Sequence, residues 1–352
     1  MEELHSLQEQ IRAAAAARRP LRIRAGGSKD FYGGPLAGEL LDAGGLAGIL
    51  DYEPTELVIT AKAGTRLVEI ERALAERGQM LACEPPLFGG RATLGGAVAA
   101  GLSGPRRPHC GALRDFVLGV ALVDGRGELL RFGGRVIKNV AGFDVSRLLT
   151  GSLGTLGLIA EATLKTVPQP RAECTLQFEI DQPGALELMA HWATRPLPLS
   201  ATAWHDSVLR VRLSGAEAAV RAARQSLGGE TVGDAREYWE EVREQRLEPL
   251  AAPAELWRVS LPAHAPQLPV AGRTLLEWGG SLRWLPGPQD GTTLRSLAAR
   301  LGGHAMLYRA PVKPADGPFQ PLSAAMLALH RRLKAAFDPL GIFNRGRLHP
   351  DL

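Results

Sequence analysis

The sequence predicts an α+β protein made of two α+β units and a C-terminal segment that returns to the first, and three observations predict it. Glycine-rich loops fall at strand and helix ends throughout the first 170 residues; the texture changes at Pro168-Gln169-Pro170; and beyond it strand-like runs alternate with helix-like ones around a tryptophan-rich core. The expected divisions are residues 1–170, 171–302 and 303–352. A chain of 352 residues is long enough to give two such units hydrophobic cores of their own.

The elements follow in order. Residues 3–18 read as a helix, and after Pro20 the alternation of Leu21, Ile23 and Ala25 with Arg22 and Arg24 reads as a strand with one buried face. Residues 57–63 form a second strand. Thr65 is placed to cap a helix whose apolar positions Leu67, Ile70 and Leu74 recur at helical spacing, with Gly78 placed to end it. The runs 116–123 and 128–132 flank Asp124-Gly125-Arg126-Gly127 as a hairpin. A short helix over 144–149 and a closing strand over 158–167 complete the first unit. In the second, strands over 175–180 and 208–213 alternate with helices near 184–193 and 215–227, and residues 234–248, dense in Glu and Arg, read as an exposed helix laced with ion pairs. All six tryptophans lie between 192 and 284. The tail holds a strand and a helix near 322–337.

Composition narrows the function. The net charge is +4 and the basic residues are dispersed, which argues against nucleic acid. Residues 100–147 carry eight Lys and Arg against four Asp and Glu, a local positive field suited to an anionic cofactor or a small carboxylate, or simply a solvated face. Cys83, Cys110 and Cys174 are isolated and form no C-x-x-C, so neither an iron–sulfur cluster nor a zinc site is expected, and no metal. No signal-peptide pattern and no run of 18 apolar residues occurs, so a cytoplasmic setting is expected.

The chemistry is carried by three glycine loops: Ala25-Gly26-Gly27-Ser28-Lys29, the run from Gly89 to Gly96, and the run from Gly151 to Gly157. Glycine lets a backbone come close to a ligand, and successive N–H groups can then converge on a pyrophosphate. Tight turns explain single glycine pairs; three such loops in one unit point to a bound nucleotide. There is no Gly-Lys-Ser/Thr and no Gly-x-Gly-x-x-Gly opening a helix after the first strand, so neither a P-loop nor a Rossmann site is expected. A dinucleotide held in another way remains.

Five stretches carry a resemblance: Glu53 to Val58, Ala92-Thr93-Leu94-Gly95-Gly96, Arg114 to Gly119, Lys138 to Asp144, and Gly151 to Gly157. Together they resemble the FAD-binding domain of the p-cresol methylhydroxylase and vanillyl-alcohol oxidase superfamily. That likeness implies FAD, held non-covalently between two α+β subdomains. Cys83-Glu84-Pro85-Pro86, Gly104 to Pro108 and Phe337 to Arg347 are similar to the E subunits of bacterial glycolate oxidases, which work beside a D-type flavoprotein and an F-type iron–sulfur subunit. The resemblance implies FAD contacts from Ala25, Gly26, Gly27, Ser28 and Lys29, from Pro85 and Pro86, and from Thr93, Leu94, Gly95 and Gly96. It further implies Gly101, Ser103, Arg114, Asp115, Gly151, Gly154, Thr155, Gly157 and Ile159, with Asn344 returning near the ring. It also implies a complex that turns glycolate into glyoxylate, with peripheral attachment at the inner face of the cell membrane left open.

One part of the family pattern is missing. Relatives that oxidise 2-hydroxy acids carry His-Gly-Asp-Gly-Asn-x-His and a later Glu-His-Gly; neither run occurs here, and His191, His205, His264, His304 and His330 are solitary. No catalytic residue is therefore assigned. Arg106, Arg107 and Lys138 are candidate cations for a carboxylate, and no base stands out. Cys83 and His109 lie near the flavin region. Ser28 and Lys29 stand where covalent relatives present a histidine. Three readings follow: a redox or assembly subunit of a glycolate oxidase complex, a self-sufficient FAD-dependent dehydrogenase of another small hydroxy acid or alcohol, and a scaffold that lost its flavin.

Overall fold

The computed structural model describes residues 2–134, 144–251 and 254–352. Two sheets organise it, one in each half of the chain. The first half opens with helix α1 (Glu2–Ala16), whose Leu7, Ile11 and Ala14 are buried at helical spacing. Strand β1 (Leu21–Arg24) pairs in parallel with β2 (Glu39–Asp42). Strands β3 (Ile49–Glu53) and β4 (Val58–Lys62) follow, then α2 (Leu67–Ala75) and β5 (Gln79–Met80). Next come α3 (Leu94–Ala100), α4 (Arg107–Cys110), the hairpin β6 (Val117–Val123) and β7 (Leu129–Gly133), α5 (Val145–Leu148), β8 (Leu158–Lys165) and β9 (Val167–Pro168). The five-stranded antiparallel sheet has the order β3-β4-β8-β6-β7. Its central strands β4, β6 and β8 are buried along nearly their whole length, and α2 and α3 pack into the same core. Thr65 does not cap α2. Arg66 stands at the cap with extended backbone, and the Thr65 hydroxyl instead accepts from Gly48 N–H at 2.9 Å, tying the helix to the turn before β3.

The second half is an eight-stranded sheet of order β13-β10-β12-β11-β15-β16-β14-β17. Its strands are β10 (Ala172–Glu179), β11 (Leu199–His205), β12 (Val208–Gly215), β13 (Glu230–Val232), β14 (Leu256–Ser260), β15 (Leu275–Glu277), β16 (Leu282–Pro286) and β17 (His304–Arg309). Helices α6 (Gln182–Ala193), α7 (Glu217–Leu227), α8 (Arg236–Glu244), α9 (Glu248–Ala251) and α10 (Gly291–Arg300) surround it. The stretch 234–248 is not one exposed helix. Gln245 takes a left-handed conformation (φ 56°) that ends α8, and Trp239, Val242 and Glu244 are buried, because one face of this charged helix packs on the sheet. All six tryptophans are buried core residues.

The tail is shared between the halves: β17 is the edge strand of the larger sheet, whereas α11 (Ala324–Phe337) and residues 338–347 pack on the first half. There the Lys334 ammonium, buried, donates to Asp338 Oδ2 at 2.8 Å and to the carbonyls of Thr155 and Phe343, while Asp338 accepts from the N–H groups of Ile342 and Phe343. Every polar group of this pair is matched, which is what makes its burial tolerable. No helix among the described residues is long and apolar enough to cross a membrane.

Candidate functional site

The end of β1, the start of α3, the turn before β8 and the tail converge on one cavity. Its walls include Ala25, Gly26, Gly27, Ser28, Lys29, Thr93, Gly95, Gly96, Gly154, Gly157, Ile159 and Asn344, so twelve of the residues expected at the cofactor lie together. Gly26 shows why: a Cβ there would sit 1.8 Å from the Arg91 carbonyl oxygen, so only glycine lets the first loop lie against the second. A Cβ on Gly95 would meet Ala63 at 2.6 Å, which holds α3 against β4. Thr93 caps α3, its hydroxyl accepting from Gly96 N–H at 3.3 Å.

The first loop has the property a phosphate ligand needs. Among the described residues, none of the backbone N–H groups of Ala25, Gly26, Gly27, Ser28 and Lys29 has an acceptor in the protein. Five successive donors left free by the protein, in a half-buried loop that borders the cavity, are suited to an anion. Lys29 adds a cation whose ammonium is pushed down to about 8 by burial, Glu244 pulling the other way. The cavity, of about 120 Å³, has room for the diphosphate core of a dinucleotide and is smaller than the roughly 300 Å³ or more of sites that enclose a whole ligand.

Asn344 serves as a clamp. Its Oδ1 accepts from Ile23 N–H at 2.8 Å, its Nδ2 donates to the Leu153 carbonyl at 2.6 Å, and its own N–H donates to the Leu21 carbonyl at 2.9 Å. One residue thus fixes β1, the turn at 153–154 and the tail in a single register. Arg347, which the sequence did not single out, lines the same cavity and donates to the carbonyls of Lys29, Asp30, Tyr32 and Gly34, holding the chain after the first loop in a tight curl. Burial pushes its guanidinium down to about 10.

The other expected residues lie outside the cavity. Pro85 presents its carbonyl to the Arg243 guanidinium of α8 at 2.7 Å, and Pro86 follows it. Leu94 is core. Gly101 ends α3 in the left-handed region, close to Gly151, whose N–H reaches the Val98 carbonyl. The Ser103 hydroxyl accepts from Leu113 N–H at 3.0 Å, and that of Thr155 donates to the Ser152 carbonyl at 2.7 Å. Arg114 is exposed, and Asp115 closes a turn by accepting from Ala112 N–H. Cys83 is buried in the core with its thiol pushed up by burial, and burial raises the Cys110 thiol to about 11; both are poor nucleophiles.

A larger groove, about 1150 Å³, runs between α2 and β5 on one side and α7 and α8 on the other. Its three buried or half-buried arginines at the contact between the halves are already answered: Arg106 and Arg212 share Glu84, Arg106 also reaches Glu173, and Arg243 pairs with Glu71. Arg106 is therefore spent on holding the halves together, and Lys138 lies outside the described residues.

Residues 2–133 match a family model described as an FAD binding domain. The chain is 47% identical over 347 residues to glycolate oxidase subunit GlcE of Escherichia coli strain K12, a match covering 99% of this chain and 97% of that one. The chain belongs to the GlcE family. It is also 35% identical over 128 residues to glycolate oxidase subunit GlcD of Bacillus subtilis, covering 36% of this chain and 27% of the relative. Among solved structures, alkyldihydroxyacetonephosphate synthase superposes with a TM-score of 0.67 over 96% of this chain and 73% of that one, at 16% identity, a likeness of fold alone. The chain is thus a member of an FAD-binding oxidoreductase family on the fold that its motifs implied.

Proposed function

We propose that this chain is the FAD-binding subunit of a glycolate oxidase complex that turns glycolate into glyoxylate beside a D-type flavoprotein and an F-type iron–sulfur subunit. The row of five unsatisfied N–H groups at 25–29 carries the cofactor half of this reading, and full-length likeness to GlcE carries the rest. Ala25 to Lys29, Thr93 to Gly96 and Gly154 to Ile159 would hold FAD, with Asn344 and Arg347 fixing the cradle. Non-covalent attachment is supported by a first loop with Ser28 and Lys29 and no histidine or cysteine, and by the burial of Cys83. FAD supplies a two-electron acceptor that can pass electrons on singly to an iron–sulfur partner.

Co-expression of this chain, affinity-tagged, with D-type and F-type subunits tests the assembly. The reading expects all three to co-purify and glycolate-dependent dye reduction to be lost when this chain is left out. Full activity without it would remove the chain from the reaction.

A further inference from the structure

One end of the eight-stranded sheet is left half-covered. The edge strand β13 pairs with β10 only at Thr175, Leu176 and Gln177, whereas β12 pairs with β10 along its whole length from the other side. After Val232 the chain leaves the sheet through Gly233 and Asp234 to begin α8, so Ala172, Glu173 and Cys174 have β12 on one side and no strand on the other. The N–H and C=O of a strand residue point to the same side, and the side alternates along the strand, so at least one of these three presents both groups outward. Among the described residues no loop or side chain takes them up.

The groove of about 1150 Å³ opens along this edge and not over a face of the sheet. Cys174 and Thr175 point to opposite faces: Cys174 packs on the core beneath α7, and Thr175 Oγ1 accepts from Trp239 Nε1 of α8 at 2.9 Å. Both border the groove, as do α7 and α8 themselves. Free edges are normally blunted by a charge or a proline. Here Ala172 and Cys174 are uncharged, Pro170 falls before the strand, and the Glu173 carboxylate is taken up by Arg106 and the Ser214 hydroxyl.

The charge around the edge says what suits it. Arg221 and Arg224 of α7 and Arg236 of α8 border the groove, are exposed, and have no ion pair among the described residues. Glu240 is paired with Arg246, which leaves Glu217 and Asp234 as the carboxylates beside them, and Asp234 Oδ1 already accepts the Arg236 N–H at 3.0 Å. A free strand edge selects an extended chain, and the surplus of arginine selects an acidic one.

We infer that this edge receives an extended acidic segment of another subunit, which adds a strand beside residues 172–174 and sets its carboxylates against Arg221, Arg224 and Arg236. The inference rests on reading the chain as a subunit of a complex, and it adds the surface and the form of the contact.

Amide hydrogen exchange on the FAD-loaded chain, alone and co-purified with D-type and F-type subunits, tests this. At least one amide among 172–174 should exchange fast in the free chain and at least tenfold more slowly in the complex. Reversing the two exposed charges of α7 in the double variant Arg221→Glu, Arg224→Glu should weaken assembly at least tenfold, with flavin absorbance and melting curve unchanged; Arg221→Lys, Arg224→Lys should assemble nearly as the wild type does. A complex whose 172–174 amides exchange as in the free chain, or that forms as tightly with the charge-reversed chain, overturns the inference and leaves the functional reading standing. A free chain that dimerises with this edge already protected places a second copy there and overturns the acidic partner. Subunits that do not co-purify sink the functional reading, and the inference with it.

Discussion

Two groups of buried cations in this molecule answer opposite needs. Between the halves, Arg106, Arg212 and Arg243 each meet a carboxylate, from Glu84, Glu173 or Glu71. At the cofactor cavity, Lys29 and Arg347 have carbonyls, a hydroxyl or a ring for company, and Lys29 is depressed by burial. A buried cation matched by a carboxylate or by carbonyls, as Arg347 is, is architecture; Lys29, which lines the cavity and has only the Ser28 hydroxyl and the Phe88 ring, is placed to meet an anion. Charge alone, read from sequence, cannot separate the two, because both groups are arginines and lysines beside loops.

The largest effect should come from breaking the paired group. Glu84→Ala leaves Arg212 without its carboxylate and Arg106 with Glu173 alone at a largely buried contact, and should cost about 3–5 kcal/mol of stability, read by chemical denaturation. A loss below about 1 kcal/mol would mean that the interface is wetter than its geometry implies.

Next comes the contact between the two glycine loops. Gly26→Ala drives a methyl into the Arg91 carbonyl, so the loops must part; overpacking of this kind costs about 1–3 kcal/mol. The variant should purify with little flavin, measured by the ratio of visible to ultraviolet absorbance.

Glu277 gives a pH signature of similar size. Its carboxyl titrates at about 7 in the folded chain, above its unfolded value, so the native state binds the extra proton. Stability should therefore be highest below the unfolded carboxyl range and fall as pH rises through about 7, by roughly 3 kcal/mol in all. Glu277→Gln should flatten that fall in denaturation curves taken at pH 5 and pH 8.

The smallest effect belongs to the unpaired group and sharpens the comparison by its sign. Lys29→Met removes a buried cation, so the apo chain should be as stable as the wild type or more so, while FAD affinity drops about tenfold. Because Lys29 titrates at about 8, wild-type affinity should fall as pH passes from 7 to 9, and that slope should be absent in the variant. Lys313, also lowered to about 8, is committed to the Phe31 carbonyl and does not border the cavity, so it is the control.

What the sequence made legible follows from the same physics. Gly26 stood out because the Arg91 carbonyl leaves no room for a side chain, Gly95 because Ala63 lies against it, and Gly27 because its φ is 64°; such rules act on residue type directly. Arg347 did not, because its partners Gly34 and Tyr32 lie more than 300 residues away, and nothing local marks an arginine that will curl around another loop. Asn344 was legible as a returning residue, but not as a clamp whose amide is taken up by Ile23 and Leu153. Arg114 and Asp115 belong to the family's motif and serve a surface turn here. The larger sheet was only partly legible: β10 and β12 are eight residues each, whereas β13 and β15 have three, too few for a period to register.

The central claim is that the loop at 25–29 exists to hold FAD. Its most direct test is the flavin content of the purified chain before and after acid precipitation. The account predicts about one FAD per chain, released into the supernatant by acid and lost in Gly26→Ala. A chain that stays colourless after incubation with FAD, or flavin that stays with the precipitate, would contradict it.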